Sequence, residues 1–156
     1  MKTLFLILMS WVGLISTQAQ NKDWNQLLKE YLTLEDALVA SNPDEAKEAI
    51  AKMQKEVQQL QPDASGKAYQ KELKFLAAYL EVAGKTTSLE DIRSRFEKIS
   101  QSMIALAEQK VFGAEALYVM YCPMKKTSWL DDSNEVKNPY YGKAMLTCGS
   151  VKKTIN

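Results

Sequence analysis

From Trp24 to Leu38, apolar residues recur at spacings of three and four. Trp24, Leu27, Leu28, Tyr31, Leu34 and Leu38 fall on one face of a helix. The pattern predicts a first helix from about Asp23 to Ala40, ended by Ser41 and Asn42. Asn42 then caps a second helix, with Pro43 at its first position and Asp44 and Glu45 in its first turn. Ala46, Ile50, Met53, Val57 and Leu60 form its apolar stripe, and Pro62 stops it. Beyond the turn "DASG", Tyr69, Leu73, Leu76, Ala77 and Leu80 predict a third helix that Gly84 closes. Ser88 opens a fourth, and Asp91 three residues on offers a weaker version of the capping box. Ile92, Phe96, Ile99, Met103 and Leu106 line its inner face, and Gly113 ends it. Four amphipathic helices with short connections predict an antiparallel up-down four-helix bundle over about 22–112.

The pattern changes after that point. "ALYVMYC" mixes β-branched and aromatic residues and fits either a short strand or a helical extension. As a strand it puts Met120 and Cys122 on one face, and Pro123 forces Cys122 away from helical geometry. "DDSNE" reads as a solvated polar turn, because it lacks the Gly and the distant Glu of a calcium loop. "NPYYGKAMLTCG" predicts a short capped helix, with Asn138 as cap, Pro139 at its first position and Gly149 just past its end; Gly142 counts against it. The fold class is mainly α, with a C-terminal irregular or short-strand Cys/Met motif over 113–156 packed on the bundle.

The N-terminus sets the compartment. "MKTLFLILMSWVGLISTQAQ" has one basic residue, Lys2, then an apolar run from Leu4 to Ile15, then small and polar residues. This is the secretory signal pattern, and Thr17-Gln18-Ala19 predicts cleavage after Ala19. The run is shorter than the roughly 20 residues of a membrane span. The domain layout is therefore a signal peptide over 1–19 and a single domain over 20–156. Loss of Lys2 leaves 19 basic against 19 acidic residues. That balance speaks against nucleic acid, which selects for an excess of Lys and Arg. No other apolar run is long enough to span a bilayer. Localisation is periplasmic or secreted, in an oxidising compartment.

Candidate chemistry concentrates in the C-terminal part. The chain has two cysteines, and each lies within three residues of a methionine: Cys122 with Met124, and Met145 with Cys148. On an extended segment the first pair points one way; on the predicted helix the second pair stands at i and i+3, on one face. Four converging sulfurs are soft ligands that select Cu(I). Zinc usually takes Cys and His, and the chain has no histidine. The same residues fit a structural Cys122–Cys148 disulfide, which would contribute roughly 3 kcal/mol by loop closure, with the methionines as core filler. On spacing alone the disulfide is the simpler reading. The absence of histidine removes Ser-His-Asp and Cys-His catalysis. There is no CxxC and no Gly-rich phosphate loop. No enzyme is expected.

The stretch from Tyr118 to Ile155 resembles a family of exported bacterial domains of unknown function. The resemblance rests on Cys122-Pro123-Met124, Trp129-Leu130, Asn138-Pro139-Tyr140-Tyr141-Gly142, Met145-Leu146 and Cys148-Gly149, within about the last 40 residues. Members of that family occur as single secreted domains, fused to the periplasmic adaptor subunits of heavy-metal efflux systems, and fused to heavy-metal-binding domains. Two departures stand out: "KKTS" is shorter than the segment many relatives carry there, and Asp131 stands where relatives often have serine. Neither touches a sulfur. The resemblance implies Cu(I) handling at Cys122, Met124, Met145 and Cys148, and raises that reading above the plain disulfide. It implies a chaperone, a buffer or an accessory to heavy-metal efflux in the Gram-negative envelope. The implied partner is an efflux adaptor or another periplasmic metal protein. It also gives Trp129, Tyr140 and Tyr141 the task of packing the motif onto the helices.

Overall fold

A computed structural model describes residues 15–113 and 116–156, with side chains from Trp24 onward. The greater part of the predicted signal segment lies outside the described residues. Four helices come first: α1 (Ile15–Ala40), α2 (Pro43–Leu60), α3 (Gln70–Gly84) and α4 (Leu89–Glu108). Three strands follow: β1 (Leu117–Cys122), β2 (Thr127–Asp131) and β3 (Ser150–Ile155). The molecule is thus mainly helical, with a small antiparallel sheet of order β2-β1-β3. Among the described residues, no helix is long and apolar enough to cross a membrane.

The predicted stripes are the buried faces. Leu27, Tyr31, Leu34 and Leu38 of α1 meet Ile50 and Met53 of α2, Leu73, Leu76 and Leu80 of α3, and Phe96, Ile99 and Met103 of α4 in one core. Helix α1 packs on α2, α2 on α3, and α3 on α4, while β2 lies against α4. Asn42 caps α2 by accepting from the Glu45 N–H at 3.2 Å. Ser88 caps α4 by accepting from the Asp91 N–H at 3.3 Å. The return half of that capping box runs through Thr86. Its hydroxyl accepts from the Ser88 N–H and donates to the Asp91 carboxylate, each at 3.1 Å.

Several boundaries differ from expectation. Helix α1 begins at Ile15 and not near Asp23; no proline or glycine stands between them to stop it. Helix α4 ends at Glu108, short of Gly113, because Lys110 takes the left-handed φ of 57° that closes the turn. For "LYVMYC", where strand and helical extension were both open, the strand forms.

The largest correction concerns "NPYYGKAMLTCG". No α-helix forms there; a single 3-10 turn spans Gly142–Ala144. Gly142 has φ +54°, a left-handed conformation that cannot continue a right-handed helix. A Cβ at Gly142 would come within 2.8 Å of Arg93 Nη2, 2.9 Å of Ser41 Oγ and 3.0 Å of the Val39 carbonyl. Space and conformation both require glycine.

That glycine lets the loop settle against the Arg93 clamp. Arg93 Nη2 donates to the Leu38 carbonyl at 2.8 Å and to Ser41 Oγ at 2.9 Å, while Nε donates to the Pro139 carbonyl at 3.0 Å. One guanidinium thus joins α4, the end of α1 and the C-terminal loop. Gly142→Ala is expected to cost about 2 kcal/mol or more, from left-handed strain and overpacking together. A urea midpoint no lower than that of the wild-type protein would contradict this account of the loop.

An aromatic column carries the sheet onto the helices. Tyr31 stacks on Phe96 at 5.5 Å, Phe96 meets Tyr140 at 5.6 Å, and Tyr140 meets Trp129 edge-on at 6.0 Å. The Tyr31 hydroxyl contacts Ser100 Oγ at 2.9 Å and accepts the Leu130 N–H at 3.0 Å. Buried tyrosine needs such partners for its polar tip, and here they bolt β2 to α1 and α4. Trp129 and Tyr140 are buried and Tyr141 is half-buried, as the packing role implied.

Candidate metal centre

Cys122 is the last residue of β1, and the four residues 123–126 turn the chain into β2. Lys126 closes that turn with φ 58° and an N–H donated to the Cys122 carbonyl at 2.8 Å. The turn folds the backbone around the Cys122 sulfur. The Lys125 N–H donates to Sγ at 3.4 Å, and the Met124 N–H also faces it. Cys148 arrives from the other side, through a turn in which its N–H donates to the Met145 carbonyl at 3.1 Å. The two sulfurs stand 3.5 Å apart, and both cysteines are free. A disulfide is about 2.05 Å. Two thiolates, each about 2.3 Å from one shared ion, can both reach it from the observed separation with a small opening of the pair.

Asn138 holds the two cysteines in register. It is fully buried. Its Oδ1 accepts the Tyr140 N–H at 2.9 Å, and its Nδ2 donates to the Cys148 carbonyl at 2.6 Å. The same side chain lies close enough to the Cys122 sulfur to favour its charged form. The sequence reading made Asn138 a helix cap only. The signal that points further is its side chain, which has two amide protons where a cap uses only an oxygen.

The electrostatics divide the pair. Burial raises the Cys122 thiol, yet the Lys125 N–H, the Asn138 amide, the Cys148 thiol and the Met124 N–H together outweigh it, and the net shift is downward. Cys148 moves up, first because its thiol hydrogen-bonds Cys122, then by desolvation and by the Cys122 charge. Of the two, Cys122 therefore gives up its proton first and Cys148 holds its proton longer. Cys122 is inaccessible, whereas Cys148 is half-buried. A soft ion would find a fixed inner sulfur and an outer one that can open.

The methionines stand differently. Met124 lies in the β1–β2 turn with 64% of its surface exposed, whereas Met53, Met103 and Met120 are fully buried. Met145 ends the 3-10 turn with φ −147° and is half-buried. It does not share a helix face with Cys148, because that helix is absent. Lys152 lies over the Tyr121 ring at 5.2 Å, and Lys153 pairs with Glu108 at 2.7 Å. Among the described residues, no cluster of three or more His, Cys, Asp or Glu side chains is arranged to hold a metal. A metal at the cysteines would thus need thioether or external ligands.

A second polar cluster was missed in the sequence. Asp131, read as part of a solvated turn, is 7% exposed, and Glu35 of α1 is 4% exposed beside it. With Asp36 and Asp132 they line a cavity of about 240 Å³. Asp131 follows Trp129 by two along β2, so strand alternation puts it on the inward face.

No curated protein and no solved structure matches the chain. One family model does, over residues 27–113, which run from within α1 to just past α4. The match stops before β1. The Cys/Met segment on which the resemblance rested lies outside it, so the helices, and not the motif, carry the relationship. With more than half of its length matched, the chain belongs to the family described as Protein of unknown function (DUF3347).

Proposed function

We propose that the chain is a soft-metal-binding protein of the Gram-negative envelope. It takes one Cu(I) through Cys122, Met124, Met145 and Cys148, and works as a chaperone, a buffer or an accessory to heavy-metal efflux. The observation that carries this reading is the pair of free sulfurs 3.5 Å apart, brought together from two turns. Backbone N–H groups stabilise the inner sulfur as a thiolate, the form that binds metal. A methionine as exposed as Met124 is unusual packing but an ordinary posture for a thioether awaiting an ion. Thiolate and thioether together favour Cu(I) over oxygen-seeking ions. The helices, arranged in this reading as an antiparallel up-down bundle, serve as a rigid platform for the motif. The partner would be an efflux adaptor or another periplasmic metal protein.

The same sulfur proximity supports a second reading, in which Cys122 and Cys148 oxidise to a disulfide that staples an interaction module with no metal. Anaerobic titration of the reduced, signal-free protein with Cu(I), against a competing chelator, separates the two. The metal reading expects one equivalent retained at high affinity, and none after oxidation. Failure of the reduced protein to compete at all would leave the stapled module as the better account.

A further inference from the structure

The surface around Cys148 differs from the rest of the molecule. Among the described residues, five large apolar side chains are exposed, and three of them, Met124, Leu146 and Val151, belong to this part. Chain geometry brings them to one end of the sheet. Met124 follows Cys122 in the turn, and Leu146 precedes Cys148 by two. Val151 pairs with Met120 across β3, with Ser150 opposite Tyr121. Strand β3 is an edge, and five of its six residues are exposed.

Charge is sorted along the same hairpin. Lys125, Lys126 and Lys152 are exposed at the cysteine end, and none of the three is in an ion pair among the described residues. Asp131 lies at the other end, where it pairs with Tyr118, four residues along the strand, and Asp132 follows it. From residue 117 onward the chain has six lysines against three acidic residues, although the chain as a whole is close to neutral. Lysines on an edge strand also discourage pairing with another copy, since Lys152 and Lys153 of two copies would face one another.

From this juxtaposition we infer that the lysine-rimmed apolar face around Cys148 is the docking surface for an acidic protein partner that presents its own soft-metal site. The inference rests on the metal-binding reading and names the partner of that site. The apolar centre excludes water around the exchanging thiol, and the lysines steer and orient the partner.

The test uses two synthetic peptides with one Cys/Met Cu(I)-binding motif, one flanked by glutamates and the other by serines. Each is loaded with Cu(I), and transfer to the reduced protein is followed by stopped flow. Transfer from the acidic donor should be at least about tenfold faster at low salt. The advantage should vanish at high salt and in the Lys125→Glu/Lys126→Glu/Lys152→Glu variant. Equal rates from both donors would overturn the docking surface while leaving metal binding intact. If the protein takes Cu(I) from neither donor nor from free Cu(I), the metal reading falls. Fluorescence anisotropy of the metal-free acidic peptide then decides the surface alone: salt-sensitive binding supports it, and no binding ends it. Equally tight binding of an oligothymidylate would also overturn it, because the face would then select any polyanion.

Discussion

Cys122→Ser and Cys148→Ser are each expected to weaken Cu(I) binding by about 100-fold or more. Structural zinc sites with four ligands bind with roughly 10–16 kcal/mol, and on that scale one ligand accounts for about 3 kcal/mol, or two decades. The two losses should differ in kind. Cys122 is fully buried and bonded by the Lys125 N–H; serine there keeps an acceptor for that donor but loses the charged sulfur. Cys148 is the half-buried partner that holds its proton longer. Its loss should accelerate metal release more than it slows uptake, because the inner thiolate still captures the ion. Met124→Leu and Met145→Leu preserve apolar volume, and each should weaken binding by less, about tenfold. Competition titrations of the four variants, with dissociation rates, make the comparison. Methionine variants that bind like wild type would reduce the site to a dithiol and dismiss the four-sulfur set.

The expectation that two sulfur pairs meet came from sequence spacing, and the cysteines do lie together, but by a different route. The predicted helix over "NPYYGKAMLTCG" would have aligned Met145 with Cys148. Gly142 at φ +54° breaks it, and Asn138 brings Cys148 to Cys122 instead. Local propensity could not reveal this, since the deciding contacts are Arg93, Ser41 and Val39, far away along the chain. The four helices were legible because each has a long apolar stripe and a cap residue whose chemistry is local, as at Asn42 and Ser88. The sheet was half legible. Strand β1 is a short apolar run, ambiguous by period, and only its pairing with β2 and β3 fixes it. The Glu35–Asp131 encounter joins α1 to β2 across nearly a hundred positions, and no local pattern announces it.

That encounter leads to the remaining prediction. Stability should rise as the pH falls from 8 towards 5, and Glu35→Gln should remove most of the dependence. Burial comes first in lifting the Glu35 carboxyl well above its ordinary range, followed by the Asp131 charge and the hydrogen bond to Asp131. Asp131 is also raised, chiefly by burial, although the Ser133 N–H, Glu35 and the Trp129 indole pull it back. Asp36 is raised by burial and by Asp132, with Lys137 opposing. Of the two, Glu35 holds its proton longer, and as an acid it donates to the Asp131 carboxylate.

A carboxyl raised in the folded state contributes stability that is complete below its unfolded pKa, and this contribution is lost as pH rises through the folded value. Two buried carboxylates side by side would then push β2 from α1. Glutamine supplies the donor to Asp131 without a proton, so Glu35→Gln should stabilise the protein by about 1–3 kcal/mol at pH 8, the size of an unsatisfied buried polar group. Near pH 4 it should be close to neutral. Asp63 works in the opposite sense, held below its usual range first by the Ser65 hydroxyl, so very acid conditions destabilise again and the optimum lies between. Urea unfolding of both proteins at several pH values between 4 and 8 reads this directly. A flat wild-type profile above pH 5, or a Glu35→Gln variant less stable at pH 8, would mean that Glu35 does not donate a proton to Asp131 and that water reaches the two carboxyls through the adjoining cavity.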